Sequence, residues 1–257
     1  MVEGRIFLFA VGIFICGAIL VQIKKVKTGA KPGFRPMPAL DAIDEAIGRA
    51  VEMGRGVHYT PGVGNLTTRG APTMFATMDI LAHISQKAAR MDVDFITTTG
   101  SGDVQTVSEE IVRNSYAEVG HPEAYHVDRV RYLSTDQWAY ASEIAEIIRK
   151  EDIQANLMIG YFAAEALVIA ESGQQAGAIQ IAGTTNAYQL PFFVAACDYV
   201  LIGEEVLAAS AYFSDDAVAV GSLVGEDYGK LLCLALILIG AIMRTFGTDF
   251  INQLIAK

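Results

Sequence analysis

The residues of this chain best suited to chemistry are four short runs of glycine and small polar side chains. They are Pro61-Gly62-Val63-Gly64-Asn65, Thr99-Gly100-Ser101-Gly102-Asp103, Gly183-Thr184-Thr185-Asn186 and Gly203-Glu204-Glu205. Each follows a short apolar run that reads as a β-strand. In parallel sheets, ligands bind outside the carboxyl ends of the strands, where glycines let backbone amides reach an anion at a helix N-terminus. The ligand this pattern would take is a nucleotide or sugar phosphate. Gly62, Gly64, Asn65, Gly100, Ser101, Gly102, Asp103, Thr184, Thr185, Asn186 and Glu204 are the candidate binding residues.

The pattern stops short of a dinucleotide fingerprint. Gln105 stands where the third glycine of GxGxxG belongs, and no clear strand-end acidic residue follows about twenty positions on. Asp103 also puts negative charge where a phosphate would sit. The same glycines serve ordinary strand-to-helix turns for backbone reasons alone.

Other chemistries find less support. Ser101 and Ser222 lack a GxSxG elbow, and Gly229-Lys230 lacks both the upstream glycine and the following Ser or Thr of a Walker loop. Lys87 and Lys150 fall at polar positions late in helices, unsuited to a Schiff base. His58 lies in the first strand and reads as a core histidine, while His121 and His126 flank Pro122 at a spacing unlike a helical zinc pair. Asp103, Asp136, Glu165, Glu204 and Glu205 sit near strand ends and read as capping or solvated carboxylates, with an acid/base or divalent-metal cluster as the alternative. Trp138 and Tyr140 read as core or interface aromatics. Cys16, Cys197 and Cys233 form no CxxC pair or disulfide framework, which suits a reducing compartment and small packing residues. No cofactor or metal is expected.

The elements that must position these residues alternate between helical periodicity and short apolar runs. Strands are expected at Val57–Thr60, Phe95–Thr98, Val130–Leu133, Leu157–Phe162, Ala178–Ala182 and Tyr199–Ile202. Helices are expected at Leu40–Met53, Pro72–Arg90, Val104–Val119, Asp136–Lys150, Ala163–Ser172, Ala187–Ala196 and Glu205–Phe213. The strands are too apolar for one-sided exposure and no NG or DG turn joins them, so parallel crossovers follow. The fold class is α/β: a Rossmann-like three-layer sandwich with a mostly parallel sheet of about six strands. Asp136 is a plausible N-cap, and Gly54, Gly120 and Gly173 stand where C-caps belong.

Apolar segments bracket this body. Ile6–Ile23 is eighteen residues with only Gln22 polar, about 27 Å of helix and close to a bilayer's hydrocarbon thickness. No cleavage site follows it; Lys24, Lys25, Lys27 and Lys31 do, which favours an anchor over a signal peptide. Lysines beside a span stay on the cytoplasmic side, so the body is expected in the cytoplasm and the lysines near lipid headgroups. Leu231–Met243, between Lys230 and Arg244, gives only about 20 Å, and reads as a second span or as a buried core helix. Gly12, Gly17 and Gly240 in these segments form no GxxxG spacing. The chain thus divides into an anchor (1–23), a basic and Pro-rich connector (24–39) that holds the body off the bilayer, an α/β domain (40–229), and a second span with its tail (230–257).

Composition agrees: the 257 residues are 52% apolar, with mean hydropathy +0.35. Between Pro32 and Gly229 there are 11 Lys+Arg against 27 Asp+Glu, a net of -16, which argues against nucleic acid as a partner.

The stretches PALDAIDEAIGRAVEMGRGVHYTPGVG, AIQIAGTTNAYQLPFFVAACDYVLIGEE and LAASAYFS resemble an uncharacterised prokaryotic family of membrane-anchored α/β proteins, a domain of unknown function. The likeness covers the body from Pro38 to Gly229. It implies the architecture and carries no activity or catalytic residue. Two functions remain open. One is a membrane-tethered, self-associating scaffold without catalysis, suggested by the two anchors and by late helices rich in Ala and apolar residues. The other is a small-ligand binding protein or hydrolase using the strand-end glycines.

Overall fold

The computed structural model describes residues 6–29, 36–68, 70–213 and 216–246. Glu3, Arg5, Lys31 and Pro32 lie outside the described residues. Two compact units result: Met1–Phe34 with Ser214–Lys257, and Arg35–Phe213.

The larger unit is a six-stranded, all-parallel sheet in the order β3-β2-β1-β4-β5-β6, the doubly wound order with its switch point between β1 and β4. The strands are β1 (Gly56–Gly62), β2 (Phe95–Thr99), β3 (Val130–Tyr132), β4 (Ile153–Tyr161), β5 (Ile179–Thr184) and β6 (Tyr199–Ile202). On one face lie α2 (Pro38–Met53), α3 (Ala71–Met91), α4 (Gly102–Glu118) and α8 (Glu205–Phe213). The other carries α5 (Gln137–Lys150), α6 (Glu165–Gln175) and α7 (Leu190–Ala196). Apolar strands demand this double cover. Ile43, Ile47, Ile80 and Ile84 close one layer and Ile144, Phe162, Ile169 and Phe193 the other, all fully buried, each worth about 1.5–3 kcal/mol.

Capping follows the local residue types. Asp136 accepts from the Trp138 and Ala139 amides at 3.0 and 2.9 Å to start α5, and Gly54 takes φ +65° to end α2. Gly173 departs from the expected C-cap: α6 runs on to Gln175, and a Cβ at Gly173 would lie 2.1 Å from Gln180 Oε1. Its role is to admit Gln180. The fourth strand also starts earlier than the apolar run, at Ile153, because its polar Gln154 and Asn156 are buried.

Asn156 belongs to a polar ladder inside the α5–α6–α7 layer. His58, Asn156 and Gln180 are register partners on β1, β4 and β5. Asn156 Oδ1 can only accept, so His58 Nδ1–H donates to it (2.8 Å) and Nε2 accepts from the Thr98 hydroxyl (2.9 Å). Asn156 Nδ2 donates to Gln180 Oε1 (3.0 Å), and Gln180 Nε2 donates to the Ala170 and Ala196 carbonyls at 2.8 and 2.9 Å. Burial pushes His58 down to about 4, against the favourable Asn156 bond, so the ring is neutral near pH 7. The expected core histidine is a satisfied one.

The smaller unit pairs α1 (Ile6–Lys27) with α9 (Ala217–Thr245), a single helix that begins well before the apolar run at Leu231. A glycine every fourth residue lets them touch: Cβ atoms at Gly221 and Gly225 would lie 2.5 Å from the Cα atoms of Ile23 and Ile19, and one at Gly229 3.6 Å from Ile15. The helices are therefore antiparallel. Gln22, the lone polar residue of its run, is buried, while Phe9, Ile13, Leu20, Leu231, Ile237 and Ile242 are exposed. Both helices are long and apolar enough to cross a membrane, and α9 is no buried core helix of the α/β unit.

Gly225→Leu should force the pair apart. Spin labels at the exposed positions 20 and 228 should separate by roughly 2 Å, since helices with ordinary side chains between them pack 8–10 Å apart. Gly12→Leu, where a Cβ meets nothing within 4 Å, should leave the distance unchanged. Equal behaviour of the two variants would refute the glycine-mediated contact.

Candidate functional site

The switch point between β1 and β4 is where this topology places a ligand crevice. Here the two strand ends meet directly. The register slips between Thr60 and Gly62, and a Cβ at Gly160 would lie 2.0 Å from the Pro61 carbonyl oxygen, one at Gly62 2.3 Å from that of Tyr161. Gly62 also takes φ +83°, and the Val63 amide donates to the Tyr161 carbonyl at 3.1 Å. Both glycines are required by backbone contact.

The remaining glycines of this loop surround a side chain. A Cβ at Gly64 would lie 2.4 Å from Met74 Sδ and 2.9 Å from Tyr161 Cβ, and one at Gly70 2.6 Å from Tyr161 Cδ2. Tyr161, the last residue of β4, thus packs where glycines of a nucleotide-binding loop would admit phosphate. Gly100 packs less closely, its Cβ position 3.4 Å from Ser134 O and Val63 Cα, and Gly102 faces open space.

The polar candidates bind their own loops. Asp103 Oδ2 accepts from the Leu66 amide and Oδ1 from the Val104 amide, both at 2.9 Å, and Ser101 Oγ donates to Oδ1. Burial disfavours the Asp103 charge, yet these three donors hold its carboxyl below the usual range. Asn65 Oδ1 accepts from the Thr68 amide (2.8 Å), its hydroxyl (2.6 Å) and the Thr67 amide (3.2 Å). Thr184 Oγ1 accepts from the Asn186 amide, and Asn186 Nδ2 donates to the Phe162 carbonyl at 2.9 Å. Thr185 and Thr73 join hydroxyls at 2.7 Å, tying the end of β5 to the start of α3. The loops after β1 and β2 therefore form one hydrogen-bonded group, and the β5 loop joins α3 and the end of β4. Glu204 follows β6 at the sheet edge, exposed and with a polar partner of its own.

Tyr140 and Glu165, named in the sequence as a core aromatic and a strand-end carboxylate, lie on α5 and α6 of one layer. Tyr140 OH donates to Thr98 O at 3.2 Å and meets Thr60 Oγ1, and burial raises its phenol. Nearby, Glu165 accepts from the Ala163 amide through Oε1 at 2.8 Å while its Oε2 is buried without a partner; burial raises this carboxyl. Tyr161 carried no sequence signal, being one aromatic at the end of an apolar run. Burial and Asp198 push the Cys197 thiol up to about 12, which disfavours the thiolate form. Among the described residues no cluster of three His, Cys, Asp or Glu could hold a metal.

A family profile for a domain of unknown function (DUF6754) matches residues 1–255. The chain belongs to this family. Its profile takes in both apolar helices together with the sheet. No match was found among curated proteins or solved structures.

Asp103 contributes stability that is fully present above the unfolded carboxyl value near 4 and is lost as pH falls through its depressed folded value. Asp103→Asn should therefore cost about 1.5–3 kcal/mol at pH 7, the range for hydrogen bonds to a charged group, with the difference shrinking toward pH 3. Urea unfolding of both proteins across that range checks this. A cost independent of pH would show that the charge plays no part.

Proposed function

We propose that this chain is a membrane-tethered α/β scaffold that associates with copies of itself and has no catalytic activity of its own. The observation that carries this reading is the α1–α9 pair, whose inward faces are matched by glycine and isoleucine while its outward faces are long, apolar and exposed. Water would penalise that surface and a bilayer would accept it. Lys24, Lys25 and Lys27 in the last turn of α1 support a cytoplasmic side for that end and for the α/β unit. With Lys31 they meet anionic headgroups.

The strand ends support the non-catalytic half. Asp103, Ser101, Asn65 and Asn186 use their polar atoms to hold loops, and Tyr161 fills the switch point. A ligand there would have to displace interactions already made.

Mass measurement in mild detergent should give a multiple of 27.6 kDa, and a clean monomer would sink the self-association. The same sample should show no thermal shift with nucleotides or sugar phosphates. A ligand at one hundred times its dissociation constant would stabilise by about 2.7 kcal/mol, and such a shift would favour a small-ligand protein instead.

A further inference from the structure

Two buried oxygens on neighbouring turns lack a hydrogen-bond donor: Glu165 Oε2, at the start of α6, and Gln189 Oε1, just ahead of α7. The turns that carry them are joined. Asn186 Nδ2 donates to the Phe162 carbonyl at 2.9 Å, and these two residues stand three positions before Gln189 and Glu165. The rings of Phe162 and Phe193 meet edge to face, their centroids 5.2 Å apart, so the same two segments also pack. Gln189 as a whole is half-buried, and its amide oxygen is turned inward. Glu165 is fully buried, and its other oxygen, Oε1, already accepts from the Ala163 amide at 2.8 Å.

We propose that Glu165 is kept as a neutral acid and that its Oε2–H donates to the Gln189 amide oxygen, a proton-operated clasp between the starts of α6 and α7. Two oxygens that can only accept leave each other unpaired. One proton turns the first into a donor and satisfies both. Burial disfavours the charged form of Glu165 and outweighs the Ala163 amide and its own amide, which favour it. The packed elements bring no compensating cation. β4, β5 and α7 carry no Asp, Glu, Lys, Arg or His, and Cys197 follows the far end of α7. On α5 the buried titratable group is Tyr140, whose phenol donates to Thr98 O; Asp136, Glu143, Glu146, Arg149 and Lys150 are exposed, as is Glu171 on α6. Tyr161 packs toward Gly64 and Gly70 instead.

The clasp ties a proton to the end of β5. Asn186 bonds both Thr184, at that strand end, and Phe162, ahead of α6. Loss of the proton would leave a buried carboxylate against an amide oxygen and loosen this junction. The folded carboxyl lies above its unfolded value of about 4.3, so its contribution to stability is fully present below that value and is lost as pH rises through the folded one.

The experiment uses the full chain in a maltoside detergent, which has no carbonyl of its own. The infrared spectrum at pH 7 should hold a protonated-carboxyl stretch that Glu165→Gln removes and that Gln189→Leu moves to the higher frequency of an unbonded acid. Glu165→Gln keeps a donor and cannot ionise. In thermal unfolding it should gain on the wild type as pH rises above about 4.3, by roughly tenfold in the folded-to-unfolded ratio for each pH unit up to the folded value. Absence of an acid band at pH 7 would overturn the proposal and point to an ionised Glu165 accepting from a reversed Gln189 amide. A band that survives Glu165→Gln, or one that Gln189→Leu leaves in place, would overturn it as well. Should Glu165→Gln fail to fold, the band shift in Gln189→Leu carries the assignment.

Discussion

Four polar side chains locked inside a dry layer set the register on which the rest of the α/β unit depends. His58, Thr98, Asn156 and Gln180 come from β1, β2, β4 and β5, and each finds its partners among the others or in helix carbonyls. Breaking one such bond strands a buried polar group at about 1–3 kcal/mol, and a one-residue slip would turn the whole set to the wrong face. Beyond the slip between Thr60 and Gly62, Gly160 meets Pro61 and Gly62 meets Tyr161, closing the switch point.

Glycine then does two kinds of work. In the body it lets backbone and Tyr161 fill space that other doubly wound sheets leave to a ligand; in the helix pair it brings α1 and α9 into contact. The pair carries its own tension. Glu226, Asp227 and Lys230, joined as ion pairs, fall beside the Ile15–Ile19 stretch of α1 because Gly225 and Gly229 meet those isoleucines. Charges at mid-bilayer are costly even when paired. In the proposed membrane setting this draws the α1 lysines and the acidic group toward one interface and leaves Leu231–Met243 to occupy the deeper hydrocarbon.

Much of the architecture was legible in the residues. Apolar runs separated by helical periodicity gave the six strands, with Tyr199–Ile202 and Glu205–Phe213 at the bounds found, and Asp136 caps the helix it was expected to cap. The start of β4 was hidden because Gln154 and Asn156 look like surface residues and are buried. The extent of α9 was hidden because Glu226, Asp227 and Lys230 interrupt its apolar character, and its glycine repeat lies upstream of the obvious segment. The candidate site was half legible. Glycine positions follow from sequence, but a glycine that admits phosphate and one that admits Tyr161 look alike until the distant partner is placed.

The central claim is that paired helices hold the α/β unit on the cytoplasmic face of a membrane. Its most direct test is labelling by a membrane-impermeant maleimide in intact cells, using single cysteines at Tyr188 and at Phe246, which are 85% and 83% exposed. The account predicts that Phe246→Cys labels at once and Tyr188→Cys labels only after permeabilisation. Labelling of Tyr188→Cys in intact cells, or protection of both positions with the protein recovered in the soluble fraction, would contradict it.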